Sequence, residues 1–146
     1  MAALTANSPK TYEVGDANSL PVKASTEIFL GAAVGLASGY ARALVAGDIF
    51  GGFAEQHVNN VSPGLFGAPS TAGTDGALSI LVKRSGRVAA AITSAAVTDI
   101  NKAVYMSDDH TFTYTSTSNT LVGRVVKWIS TGNVIVEFNI TTQALS

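Results

Sequence analysis

The stretch LVGRVVKWISTGNVIVEF, residues 121–138, constrains the fold more than any other part of the chain. Two runs rich in Val, Ile, Trp and Phe flank turn residues Thr131 to Asn133, and alternation of this kind reads as a β-hairpin. Val122, Arg124, Val126 and Trp128 alternate with Leu121, Gly123, Val125, Lys127 and Ile129. Both sets contain apolar residues. The pair therefore lies between a core and a second protein surface, or is buried on both sides within one subunit.

The rest of the chain after residue 20 follows the same grammar, with short β-type runs separated by Gly, Ser, Asn and Asp. Strands are expected near 27–37, 40–46, 49–58, 77–84, 87–93, 103–107, 111–115, 121–129 and 133–138. Ser85-Gly86 is expected to join 77–84 to 87–93 as a tight turn, because Gly accepts positive φ. The segment 59–76 is dense in Gly, Pro, Ser and Asn and reads as a long surface loop. Residues 94–102 can make one helical turn with Thr98 or Asp99 as its cap. Residues 1–20 hold no sustained period and read as an extended arm preceding a domain over 21–146. The expected fold is all-β, a small antiparallel β-barrel or β-sandwich of about nine short strands with at most one short helical turn.

Composition narrows the function. Hydrophobic residues make up 47% of the 146 and charged residues 13%, so the surface is built largely from Ser, Thr, Asn, Gly and Ala and suits contact with other protein. Nine Lys and Arg against ten Asp and Glu leave a net charge of −1, and no global field attracts nucleic acid or an anionic membrane. There is no cysteine, hence no disulfide framework and no thiolate metal site. The longest apolar uncharged run, Ile28 to Ala41, has 14 residues, short of the ~20 a membrane span needs. Asn7, Pro9, Lys10, Glu13 and Asp16 interrupt any secretory pattern at the start, so the expectation is a soluble protein used without secretion.

No catalytic constellation emerges. Only His57 and His110 are available as bases for an activated Ser or Thr, and both fall at strand ends. Asp108, Asp109 and His110 are hard-ligand types, but they lack the spacing of a calcium loop, and no His pair suits zinc. They read as turn residues. Lys83, Arg84 and Arg87 bracket the Ser85-Gly86 turn as a solvated basic tip, with no aromatic residues interleaved to stack bases. Asn60-Val61-Ser62 and Asn139-Ile140-Thr141 match the glycosylation sequon by chance, given no secretory signal. Trp128 reads equally as a core residue or as an interface anchor.

Three blocks, in order and spacing, go further: SGYARALVAGD-x-F-x-G-F, VYMSDD-x-TFT and VGRVVKWIS…VIVEF. They carry a match that runs from about Ile28 to Phe138, and in it the chain resembles the capsid cement, or head decoration, proteins of tailed bacteriophages. The loop over 63–76 is longer and richer in Gly and Pro than that pattern, and residues 1–20 carry none of it. The resemblance implies a small β-barrel with an N-terminal arm and no enzymatic activity or cofactor. It implies a place on the outer surface of an icosahedral shell, as a homotrimer bracing major capsid subunits, in a virion made in the host cytoplasm. On that footing the arm adds to an exposed strand of the shell, with Leu4, Pro9, Tyr12, Val14 and Leu20 as apolar anchors. Arg124, Val126 and Trp128 are the candidates for subunit contact. Two other readings stay open: a tail or fibre subunit on a similar barrel, and a ligand-binding or catalytic barrel using His110 with Asp108 and Asp109.

Overall fold

The computed structural model describes Ala6, residues 16–61 and residues 73–140. Within them the chain is all-β. Its strands run β1 (Ala17–Pro21), β2 (Thr26–Ile28), β3 (Ala33–Ala37), β4 (Tyr40–Ala43), β5 (Ile49–Ala54) and β6 (Val58–Asn60). They continue as β7 (Ser79–Lys83), β8 (Ser85–Ala91), β9 (Ala103–Met106), β10 (Phe112–Thr113), β11 (Thr120–Ser130) and β12 (Asn133–Asn139). The helical turn expected in 94–102 is a 3-10 turn, Val97–Asp99. Asp99 serves it from within, accepting the N–H of Ala96 at 2.9 Å, rather than from the residue before it.

Two five-stranded antiparallel sheets carry the fold, in the orders β1-β7-β5-β3-β4 and β10-β9-β11-β12-β8, with β2 and β6 forming a separate ribbon. The first sheet curls. Val22, just past β1, bridges Ala41 of β4, and the N–H of Lys23 donates to the carbonyl of Ala41, so the two outer strands are drawn together. Inside the curl lies one core, with Val22, Ile28, Val34, Ala41, Ile80 and Val82 fully buried. A larger core, including Phe50, Met106, Val122, Val125, Val136 and Phe138, fills the space between the second sheet and the back of β3 and β5.

Several expectations are corrected. The strand over 27–37 is cut at Phe29-Leu30-Gly31, where Gly31 has φ +86°, and the strand over 49–58 is cut at residues 55–57. The loop expected from residue 59 begins later, since Asn59 and Asn60 pair with β2. Residues 17–20 are not arm: β1 pairs in register with β7 from Ala17↔Lys83 to Pro21↔Ser79. The arm is therefore shorter than 1–20, and Leu20 packs against the first sheet's core.

Ser85-Gly86 is not a hairpin turn either. Strand β7 pairs with β1 and β5, whereas β8 pairs with β12, so the chain passes from one sheet into the other through Arg84. The N–H of Arg84 donates to Asp16 and its carbonyl accepts from Ile140, which marks where one neighbour replaces another on the same side of the strand. Gly86, at φ +147°, lies beside the ring of Phe138.

Bulges, not strict alternation, set which side chains point inward. In Ile49-Phe50-Gly51-Gly52-Phe53-Ala54 the register against β3 slips between Val34 and Gly35. That slip turns both Phe50 and Phe53 toward the larger core and Ala54 toward the other. Gly52 makes it possible, with φ +116° and no room for a side chain beside the carbonyl of Lys83. Strand β11 slips against β9 between Leu121 and Gly123 and against β12 between Val125 and Lys127. Val122 and Val125, three apart, thus share one core.

A side chain at Gly123 would overlap the carbonyl of Glu137 on β12. Gly123→Ala is therefore expected to lower stability by about 1–3 kcal/mol through forced separation of β11 and β12. Urea unfolding of the two proteins measures this, and an unchanged midpoint would contradict the packing described.

Candidate functional site

The most developed polar arrangement lies in the connection between β4 and β5. Arg42 reaches Asp48 with two hydrogen bonds, Nε to Oδ2 at 2.9 Å and Nη2 to Oδ1 at 2.7 Å. Such a bidentate pair fixes geometry as well as charge. Asp48 Oδ2 also accepts the N–H of Val45, and Gly35 leaves the space the carboxylate occupies. Across the sheets, the hydroxyl of the buried Thr120 donates to the carbonyl of Asp48 at 2.8 Å and accepts the N–H of Gly47 at 3.1 Å. The connection is thereby tied to β11. The Asp48 carboxylate and the Thr120 hydroxyl are engaged within the chain, so the arrangement braces the fold.

Among the residues nominated for chemistry, Asp108 serves its own turn. Asp108 Oδ1 accepts the backbone N–H groups of His110 at 2.8 Å and Thr111 at 2.7 Å, a turn-stabilising role. Those bonds hold its carboxyl below the usual carboxylate range, against a smaller opposing effect of burial. The carbonyl of Asp109 accepts the N–H of Ala33, which docks this turn onto β3. No group of three or more potential metal ligands occurs among the described residues. His57 lies 2.8 Å from Glu27 and stacks on Phe29 with ring centroids 5.1 Å apart. Lys83, Arg84 and Arg87 do not form a tip, because Arg84 is the crossing point between sheets and Arg87 lies on β8, 3.4 Å from Glu137. Asn60 of the first sequon is fully buried; its amide donates to the carbonyls of Val22, Lys23 and Thr74, and its oxygen accepts from Gly73.

The features best suited to function are apolar and outward. Phe29 and Leu30 are 59% and 68% exposed at the turn after β2, and Val45 and Ile49 flank the Arg42–Asp48 connection at 49% and 63%. Val97 and Ile100 of the 3-10 turn, with Trp128 and Ile129 at the end of β11, add further exposed apolar surface. Phe29 with Leu30, and Trp128 with Ile129, are neighbours in sequence; where exposed apolar surface is contiguous, it is the kind that another macromolecule covers.

The subunit-contact candidates are not brought onto one face. Arg124 is exposed and donates to the carbonyl of Asn101, Val126 is half-buried at a bulge, and Trp128 turns its Nε1 toward the carbonyl of Ala95 at 3.4 Å. The slips in β11 are the reason, since each changes the phase of the alternation. Of the arm anchors, Leu4, Pro9, Tyr12 and Val14 lie outside the described residues, and Leu20 sits in β1. No helix among the described residues is long and apolar enough to cross a membrane. No family model matches the chain, and no curated protein matches it.

Burial pushes the Asp48 carboxyl up, but hydrogen bonds from Arg42 and Val45 and the Arg42 charge outweigh it and leave the group below its ordinary value. A depressed carboxylate contributes stability that is complete above its unfolded pKa of ~4 and is lost as pH falls through the folded value. Asp48→Asn should cost about 1–3 kcal/mol at pH 7, and the gap from the parent should narrow below pH ~4. Urea unfolding across pH checks both; a gap independent of pH would assign the loss to packing instead.

Proposed function

We propose that the chain is a structural virion protein that binds the outer surface of an icosahedral phage capsid and bridges neighbouring major-capsid subunits as a trimer. The observation carrying this reading is the pairing of self-satisfied polar groups with outward apolar ones. Asp48, Asp99 and Asp108 all serve their own turns. Phe29, Leu30 and Ile49, in contrast, each expose more than half of their surface. A domain built this way has little to offer a small polar substrate and much to gain from burial against protein.

The three sequence blocks that resemble decoration proteins also acquire physical work within the fold, which supports the reading from a second direction. SGYARALVAGD-x-F-x-G-F contains the Arg42–Asp48 pair, Phe50 and the Gly52 bulge. VYMSDD-x-TFT contains β9, the Asp108 turn and β10. VGRVVKWIS…VIVEF is the β11–β12 hairpin.

In this reading the arm preceding β1 adds to an edge strand of the shell, where main-chain hydrogen bonds supply affinity without a side-chain code. Three arms on one trimer act together through effective concentration, so modest individual contacts suffice. The cut that isolates the arm falls after residue 15, because removal of residues 17–20 would strip β1 from its sheet. Purified protein should co-sediment with undecorated mature shells and be seen on their outer surface by electron microscopy. The protein lacking residues 1–15 should stay folded and lose at least about tenfold in apparent affinity. Full binding by the shortened protein would remove the arm from the mechanism, and density on tails rather than shells would place the protein in a different part of the virion.

A further inference from the structure

Among the described residues, strand β8 ends the second sheet with one side unpaired. The N–H of Ile140 donates to Arg84, the N–H of Ile92 donates to Gly132, and the register against β12 is unbroken between them. Even-numbered residues therefore turn their backbone groups toward β12, while Ser85, Arg87, Ala89 and Ala91 turn theirs away. Among the described residues no strand meets that side. The edge is seven residues long, contains no proline, and carries one charge, Arg87. An edge in that state is a ready template for pairing with another strand.

The surroundings specify what that strand should look like. On the outer face stand Arg87, Ala89 and Ala91, all exposed. On the inner face Val88 lies with Phe53 and Phe112 as half-buried side chains along the rim of the larger core, the two rings 6.2 Å apart. A groove of about 610 Å³ is lined by Ala89 to Ala91 of β8, by His110 and Phe112, and by the end of the β11–β12 hairpin. A suitable occupant alternates apolar with polar residues and brings a negative charge to Arg87.

Residues 11–14, Thr-Tyr-Glu-Val, have that pattern. With Glu13 beside Arg87, either strand direction turns Tyr12 and Val14 inward to the rim and Thr11 outward. Pro9, which has no N–H to give, ends the ladder. We propose that residues 9–15 of a second copy of this chain pair with the free edge of β8.

The chain's own arm cannot take that place. Asp16 is held by Arg84 on the side of the strand that β12 goes on to occupy, opposite the free edge. From there to a partner of Arg87 on the other side is about 14 Å, taking ~4.8 Å between strands and ~3.3 Å per residue. Glu13 is three residues from Asp16, which span at most ~11 Å even fully extended. The fifteen residues before Asp16 can, when extended, reach about 50 Å, ample for a neighbour.

The chain has no cysteine, so a disulfide reports this contact without interference. In the full-length protein carrying Glu13→Cys and Arg87→Cys, mild oxidation should give linked multimers that collapse on reduction, with the 13–87 peptide pair identified by mass spectrometry. Neither single-cysteine variant can give that pair. In the unsubstituted protein, amide exchange at Arg87 and Ala89 should be slowed about tenfold or more relative to the protein lacking residues 1–15. Absence of a 13–87 link, or equal exchange in the two proteins, would overturn the docking. A link found only within single chains would overturn the exchange between copies. All of this is read on purified protein without shells, so its failure and the failure of capsid binding are separate results.

Discussion

The pair β3–β5 is buried on both of its faces, and the remainder of the structure follows from that constraint. Ala33, Phe50 and Phe53 serve the core shared with the second sheet, while Val34, Leu36 and Ala54 serve the core inside the curl of the first. Strict alternation cannot place Phe50 and Phe53 together, because residues three apart point to opposite faces. The Gly51-Gly52 bulge resolves the conflict by adding one residue of phase. The same device recurs in β11, where Val122 and Val125 share a core after a slip. Close approach of backbones at Gly52 and Gly123 is what these slips require, which is why side chains are missing at those two places.

With two cores on one strand pair, the sheets need fastening at few other points. One is Arg84, where β1 hands its position to β12. Another is Thr120, which joins β11 to the β4–β5 connection through both roles of its hydroxyl. The third is the carbonyl of Asp109, bonded to β3. In a chain without disulfides these bonds carry directional information that apolar burial lacks, since each is buried or half-buried and costly to leave unmade. The exposed pair Arg87–Glu137, 3.4 Å apart, contributes little by comparison.

The sequence disclosed the class of fold and the position of its late hairpin because those depend on composition and on a long run of β-formers. It disclosed strand limits less well, and for identifiable reasons. Phe29 and Leu30 continue an apolar run, so nothing in the pattern announces that Gly31 breaks it in three dimensions. Ser85-Gly86 has the residues of a tight turn, yet the chain there goes straight on into another sheet; local chemistry permits both, and only tertiary pairing chooses. Asn60 looked like part of a loop with a chance sequon, whereas four hydrogen bonds make it an internal bracket. The contact candidates Arg124, Val126 and Trp128 rested on unbroken period-2 phase, which the bulge between Val125 and Lys127 removes. Outward apolar residues such as Ile49 were not recognisable, because exposure is a property of the assembled sheets.

The free edge of β8 and the proposed pairing of residues 9–15 would set up a competition whose energetics constrain any assembly role. Main-chain pairing is nearly blind to side chains, so the arm has similar intrinsic affinity for any open edge, and selection falls to the flanking groups. If residues 9–15 are held on a neighbour's β8, with Tyr12 and Val14 against Phe53 and Phe112, a shell edge gains only the difference between the two pairings. That difference can favour the shell only through contacts unavailable at β8, and outward apolar groups such as Phe29, Leu30, Val45 and Ile49 are able to provide them. Arm exchange then protects an adhesive edge in the free protein, and transfer to a shell becomes conditional on simultaneous burial of the apolar surface. On the proposed reading, strand pairing and apolar burial would be two coupled requirements, and neither alone would discriminate a capsid from any other protein with an open edge.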